Sequence, residues 1–325
     1  MIAIHEAGHF FAARACGVKI HEFSLGMGPR LFGRQGKDGT NYNLRLFPIG
    51  GYVSMKGEDE DAEGEDSFSQ KKLWQKFIIV AAGALMNILL AMILCFALAI
   101  SDGVGTTVIG EFNENAISSE WLMLGDRIVE VDGTKTHIAT EVAYEIMHDG
   151  YEPIDIVVER GGERITLRDV QFGTLTEAGM VLGKPDFKMY GAERTLGNLL
   201  KHTWYRSLSM VKMIWESLID LLIGRVGMEA VSGPVGVTDA MVTAAKGGAS
   251  QFFNLLAVLA MNLGVFNLLP FPALDGGRLV FILFEMIFRR KVPAKVEGAI
   301  HTVGILLLFG LMIFVVFKDV IKLFG

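Results

Sequence analysis

Apolar residues are not spread evenly along this chain; they gather into long runs. From Phe77 to Ile100 the sequence FIIVAAGALMNILLAMILCFALAI carries no charge over 24 residues. A helix needs roughly 20 residues to cross about 30 Å of hydrocarbon, so residues 77–100 predict a membrane span. A second uncharged run, Phe252 through Phe266, enters a proline-broken stretch, NLLPFPALDGG, and resumes from Leu279 to Phe288. It reads as a span over residues 252–288 interrupted in its middle. A third, Ala299 to Phe317, contains only His301 and Thr302 as polar interruptions and predicts a span over residues 299–317. The beginning, MIAIHEAGHFFAARACG, is largely apolar but has four residues ahead of His5. Residues 1–20 therefore predict either an amphipathic surface helix or the inner part of a truncated first span.

Between these runs the period changes. In residues 21–57 a Gly26-Met27-Gly28 turn is followed by alternation and a Gly-Gly kink in NYNLRLFPIGGYVSMKG, which predicts a β-hairpin near the membrane surface. Residues 58–76 open with the acidic run EDEDAEGED, the pattern of a solvated loop. Over residues 105–172 the short β-favouring runs RIVEV, IDIVVE and RITLRDV are punctuated by VDG and RGG turns, with one helical stretch from Ala139 to His148. That is the texture of a small α+β domain. In residues 195–251, Trp204 and Trp215 stand beside Lys201, Arg206, Lys212 and Arg225, a mixture that favours interfacial amphipathic helices over another span.

Composition sharpens this picture. At 325 residues the chain could form two soluble domains, but 51% hydrophobic residues, 20% charged residues and a mean hydropathy of +0.40 call for lipid as solvent. A net charge of −6 provides no basic surplus for nucleic acid, which is set aside as a partner. Cationic residues mark the inside of a membrane. Lys71, Lys72 and Lys76 precede the first long run, and Arg289, Arg290, Lys291 and Lys295 precede the last. Both places are expected in the cytoplasm. The stretch from Ser101 to Gln251, with 13 Lys and Arg against 22 Asp and Glu, is expected outside. Cys16 and Cys95 lie in or beside apolar runs and read as buried small hydrophobes, not as a disulfide framework.

The chemistry concentrates in His5-Glu6-Ala7-Gly8-His9. Four residues of helix turn about 400°, so the two imidazoles point nearly the same way and can grip one metal ion, with Glu6 beside it. Imidazole with carboxylate suits zinc, and a catalytic zinc takes three protein ligands. A metzincin-type third histidine is excluded, because Ala15 stands at its position. Asp275 is the only acid between Phe252 and Phe284, and it follows Pro270 and Pro272. Those prolines break the helix, and irregular backbone at membrane depth occurs only where it is buried in protein or lines a cavity. Asp275 is therefore either the third ligand or the N-cap of the helix that begins near Gly276. Asn262 and Asn267 could donate hydrogen bonds to a peptide or oxyanion, or could join helices of a bundle. Asn87 is a weaker candidate of the same kind.

Taken together, HEAGHFFAARACGVKI, FSLGMGPRLFG, FPIGGYVSMKGE, SGPVGV and MNLGVFNLLPFPALDGGR resemble the site-2 protease family of intramembrane zinc metalloproteases, most closely the bacterial regulator-of-sigma-E branch. The resemblance implies a polytopic α-helical protein of the bacterial plasma membrane, with about four spans, the first truncated, an inserted PDZ domain and a membrane-associated β-hairpin. LGDRIVEVDG is the most PDZ-like piece. The resemblance further implies that His5, His9 and Asp275 bind zinc, that Glu6 is the catalytic base, and that Asn262, Asn267 and Pro272 handle substrate. The substrate so implied is a single-pass membrane protein, an anti-sigma factor by analogy, received as an added strand by the hairpin. Gly83-Ala84 stands where relatives often have Gly-Pro. Two other readings remain open on the residues: a non-catalytic PDZ scaffold with a structural zinc, and an ion path.

Overall fold

The computed structural model describes every residue except 59–61, 178–179, 226, 228–230, 232, 291 and 325. Part of the expected acidic loop, the serine that opens SGPVGV and Lys291 thus lie outside the described residues. Helix α1 (Ile2–Ala15) leads into two long strands, β1 (Ile20–Gln35) and β2 (Asn41–Met55), and then α2 (Leu73–Asp102). There follow β3 (Val104–Phe112), β4 (Arg127–Val131), β5 (Thr134–Lys135), α3 (Ala139–Asp149), β6 (Ile154–Arg160), β7 (Glu163–Val170), β8 (Gly173–Glu177), β9 (Met180–Lys184) and β10 (Phe187–Ala192). The chain continues through α4 (Leu196–Leu222), α5 (Pro234–Lys246), α6 (Ala249–Leu268), α7 (Asp275–Phe288) and α8 (Ala294–Phe324).

Among the described residues, three helices are long and apolar enough to cross a membrane: α2, α6 and the Lys295–Asp319 portion of α8. The 14 residues of α1 rise only about 21 Å, short of the hydrocarbon thickness. The proline-broken run appears as two helices, α6 and α7, parted by residues 269–274.

Two compact units divide the chain, one made of Met1–Ala91 with Val258–Gly325, the other of Met92–Ala257. In the first, α1 buries Phe10 and Ala13 against Val18 and Ile20 at the start of β1, Val53 and Met55 of β2, and Ile79 of α2. One step along α2, Val80 and Ala81 pack on Leu279 and Ile282 of α7. Helix α2 thus touches α1 with one side and α7 with the next. Where lipid surrounds helices, expelling water drives little and close backbone approach matters more. Gly8 supplies it: a Cβ there would stand 2.4 Å from the Ala82 carbonyl oxygen.

The β1–β2 pair is more than a flat hairpin. Leu25 of β1 is in register with Gly51 on one side and Leu44 on the other, while Phe32 to Gln35 return to pair with Leu44 to Asn41. The two strands curl into four paired segments, and residues 51–55 have β1 on one side only. Arg45 ties the curl together, donating to Glu22 (2.6 Å), Ser24 (2.9 Å) and the Gly28 carbonyl (2.8 Å).

In the second unit an antiparallel sheet runs in the order β10-β3-β4-β6-β7, with β5 beside β4. Buried residues of its strands, Ile109, Ile128, Val131, Ile156 and Val158, close on Val142 and Ile146 of α3. The sheet extends past residue 172, because β10 pairs with β3 from Phe187–Phe112 to Ala192–Val104. Buried Asp126 receives two 2.7 Å hydrogen bonds from Arg160 and one of 2.8 Å from the Met123 N–H, which fixes the turn into β4. Thr195 caps α4, accepting from the Asn198 N–H. Helix α4 buries Leu199, Met210 and Ile214 and exposes Leu200, Trp204, Leu208 and Trp215.

Candidate active site

Helix α1 places His5 and His9 one turn apart, and their rings meet edge to face with centroids 4.8 Å apart. The two Nε2 atoms are separated by 3.2 Å. Asp275 opens α7, and its Oδ2 stands 3.3 Å from each of those nitrogens. Its carboxylate makes no capping bond to its own helix; Leu274 is the cap residue. Of the two roles left open for Asp275, the one observed is convergence on the histidines. Among the described residues, these three are the only group of His, Cys, Asp and Glu placed to hold a metal ion.

The triangle fits a cation. Zinc–nitrogen distances of about 2.0–2.1 Å around a tetrahedral ion separate neighbouring ligand atoms by about 3.3–3.4 Å, which the observed edges approach. The Asp275 Oδ2 is buried and, among the described residues, makes no hydrogen bond of good geometry. An orphaned carboxylate oxygen is costly unless a charge completes it. The tautomer of His9 agrees: its Nδ1 donates to the Ile79 carbonyl (2.9 Å), leaving the Nε2 lone pair directed at the centre. His5 Nδ1 lies 3.4 Å from the Asn87 amide nitrogen, so Asn87 lies against the second ring.

Space around the rings is set by glycine. A Cβ on Gly83 of α2 would fall 2.3 Å from His9 Nε2 and 2.8 Å from His5 Cε1. Glu6 is 9% exposed, and a Cβ on Gly51 would sit 2.9 Å from its Cγ. The open segment of β2 therefore passes directly beside this carboxylate. Residues 269–274 lead into Asp275. Leu274 N–H donates to the Phe271 carbonyl (3.2 Å), Pro272 holds the second turn position, and Ala273 has φ +78°. This is a type II turn with alanine where glycine is usual, a left-handed conformation costing about 1–2 kcal/mol.

The whole chain matches proteins of one kind. The model of peptidase family M50 matches residues 1–311. The chain belongs to peptidase family M50. It is 36% identical over 323 residues to a Clostridium perfringens protein, covering 99% of this chain and 95% of that one. A Fusobacterium nucleatum protein is 36% identical over 341 residues, with 100% and 96% covered, and one from Clostridium acetobutylicum is 33% identical over 324 residues, with 99% and 94% covered. All three carry the provisional name of zinc metalloprotease.

In this M50 chain the structure brings together His5, His9 and Asp275, with Glu6 alongside. Asn262 and Asn267 are half-buried on α6, and Pro272 lies in the turn ahead of Asp275. Asn87, weighed lowest from the sequence, is the asparagine in contact with a triad ring. Gly83, Gly51 and the Ile79 carbonyl could not be singled out from residue type alone. The only signal for Gly83 was its place in the short Gly-Ala element four residues before Asn87.

Proposed function

We propose that this chain is a zinc-dependent endopeptidase that cuts single-span membrane proteins within or close to the bilayer, with His5, His9 and Asp275 as the zinc ligands and Glu6 as the general base. The observation that carries this reading is the convergence of two imidazole nitrogens and one orphaned carboxylate oxygen at 3.2–3.3 Å beside buried Glu6. When bound, zinc supplies a Lewis acid that acidifies water and polarises a carbonyl. Glu6 takes the proton of the attacking water and returns it to the leaving amide nitrogen. The Ile79 carbonyl holds the His9 ring in its ligating orientation, Asn87 lies against the His5 ring, and Gly83 leaves both rings room.

Helical peptide bonds are shielded, so a substrate must be extended to be cut. The side of residues 51–54 away from β1 offers backbone groups on which an incoming chain can add as a strand, and Gly51 would bring that strand past Glu6. Asn262, Asn267 and Pro272 are proposed to contact the same chain. The antiparallel domain of the second unit is read as PDZ-like and exterior, α4 as lying in the interface on its Trp204 and Trp215 side, and the protein as multi-pass in the bacterial plasma membrane. An anti-sigma factor is the proposed client.

The scaffold reading is less favoured, since a closed structural zinc needs a fourth protein ligand and three groups lie together among the described residues. Glu6→Gln separates the alternatives. In proteoliposomes with a single-span test substrate, the variant should retain zinc while kcat falls on the order of 10²–10⁴-fold. A wild-type chain that binds zinc and cuts nothing would defeat the protease reading, and an ion flux insensitive to Glu6 would exclude a path for ions.

A further inference from the structure

We propose that His301 of α8 is a positioning residue for Asp275: by accepting the Ala273 N–H it holds the Phe271–Leu274 turn in the form that aims the carboxylate at His5 and His9. The inference rests on Asp275 being a metal ligand.

The turn is poorly suited to hold itself. In a type II turn the closing hydrogen bond runs from the fourth residue to the first, here Leu274 N–H to the Phe271 carbonyl. The central peptide, between Pro272 and Ala273, takes no part in it. Rotating that peptide converts type II into type I and lets the third residue return to negative φ. Glycine tolerates either form, but alanine prefers the second. Ala273 nevertheless sits at φ +78°, so something outside the turn selects this orientation.

Helix α8 supplies it on both sides of the peptide. His301 Nδ1 lies 3.2 Å from the Ala273 nitrogen and accepts its hydrogen. Three residues on, and so on the same helix face, Gly304 lets α8 close onto Pro272: a Cβ there would be 2.6 Å from the Pro272 carbonyl oxygen and 2.4 Å from its Cβ. One residue engages the N–H of the central peptide and the other makes room for its carbonyl. Ala273 is two residues from Asp275, and the chain between them enters α7 directly, with Gly277 N–H bonded to the Leu274 carbonyl. Turning the central peptide would therefore redirect the first residue of α7. His301 acts on Asp275 through the turn, by way of the Ala273 N–H that it accepts. It also accounts for the one imidazole in an otherwise apolar final run.

The test uses the full chain in detergent and compares His301→Leu, His301→Asn, Ala273→Gly and the double variant Ala273→Gly/His301→Leu. Zinc retention is followed by competition with a chromophoric chelator, and turnover on a single-span substrate is split into kcat and KM. His301→Leu keeps bulk and removes the acceptor; it should weaken zinc roughly 10–100-fold, the usual loss when a group supporting a metal ligand is removed, and lower kcat with KM unchanged. His301→Asn, whose Oδ1 replaces Nδ1 as acceptor, should restore most of both. Ala273→Gly should do the same within the double variant, since a glycine turn needs no external hold. A fold defect in α8 would not be repaired by a glycine in another segment. The proposal is overturned if His301→Leu holds zinc like the wild type, or if the double variant is as weak as His301→Leu. A wild type that holds zinc without cleaving would sink the proposed activity while the zinc measurements still decide the role of His301; a wild type that holds no zinc would sink both.

Discussion

Gly83 shows how much of the site depends on an atom that is missing. Any side chain at this position would overlap His9 Nε2, 2.3 Å from a Cβ placed there, and would crowd His5 Cε1 at 2.8 Å. Gly83→Ala is expected to push both rings off the centre and weaken zinc at least tenfold, the scale on which supporting groups act. Metal analysis after dialysis checks this, and unaltered zinc content would mean that the rings can move aside. That His5, His9 and Asp275 come together was legible, because H-E-x-x-H carries its geometry in its spacing and Asp275 is isolated among apolar residues. Asn87 and His301 were visible as polar residues in apolar runs, but nothing in one-dimensional sequence says which polar group in a span faces which ring. The strain at Ala273 was illegible, since alanine gives no sign of a left-handed turn.

Among the elements, strands β4, β6 and β7 and helix α3 form where alternation and the VDG and RGG turns suggested. Strand β10, FKMYGA, is short and has no clean alternation, and its place beside β3 follows from tertiary pairing. The seam between α3 and α4 carries a titration. His148 bonds to Asp149 (2.7 Å) and Asp220 (3.2 Å), with Arg225 3.6 Å from Asp220 and the Tyr144 ring stacked nearby. The hydrogen bond to Asp149 raises the His148 pKa above its ordinary 6.5, against the opposing effect of burial. A folded-state pKa above the unfolded one means that the charged imidazole stabilises the seam fully below about pH 6.5 and progressively less as pH rises through the higher value. Hydrogen exchange of the α3 amides should accelerate from pH 6 to pH 8.5 beyond its intrinsic pH dependence. His148→Gln should remove the excess. Equal excess in the variant would assign the effect to another group.

At the scale of the whole molecule, the two compact units carry their own cores, so damage to one should be separable from the chemistry of the other. Asp126 is 1% exposed and anchors Arg160 through two hydrogen bonds. Asp126→Ala leaves the cation and the Met123 N–H without their partner and is expected to cost the second unit about 2–3 kcal/mol. Limited proteolysis should then cut within residues 92–257 more readily while bound zinc is unchanged; loss of zinc in step with cutting would show the units to be coupled. The division has a temporal side as well. His5 and His9 leave the ribosome early, but Asp275 follows only after the whole of Met92–Ala257 has been made. At about 5–20 residues per second that interval is on the order of tens of seconds. If Asp275 is the third ligand, as proposed, a half-made chain has the two imidazoles without the carboxylate that completes the metal site, and an interrupted message yields a fragment that holds the metal poorly.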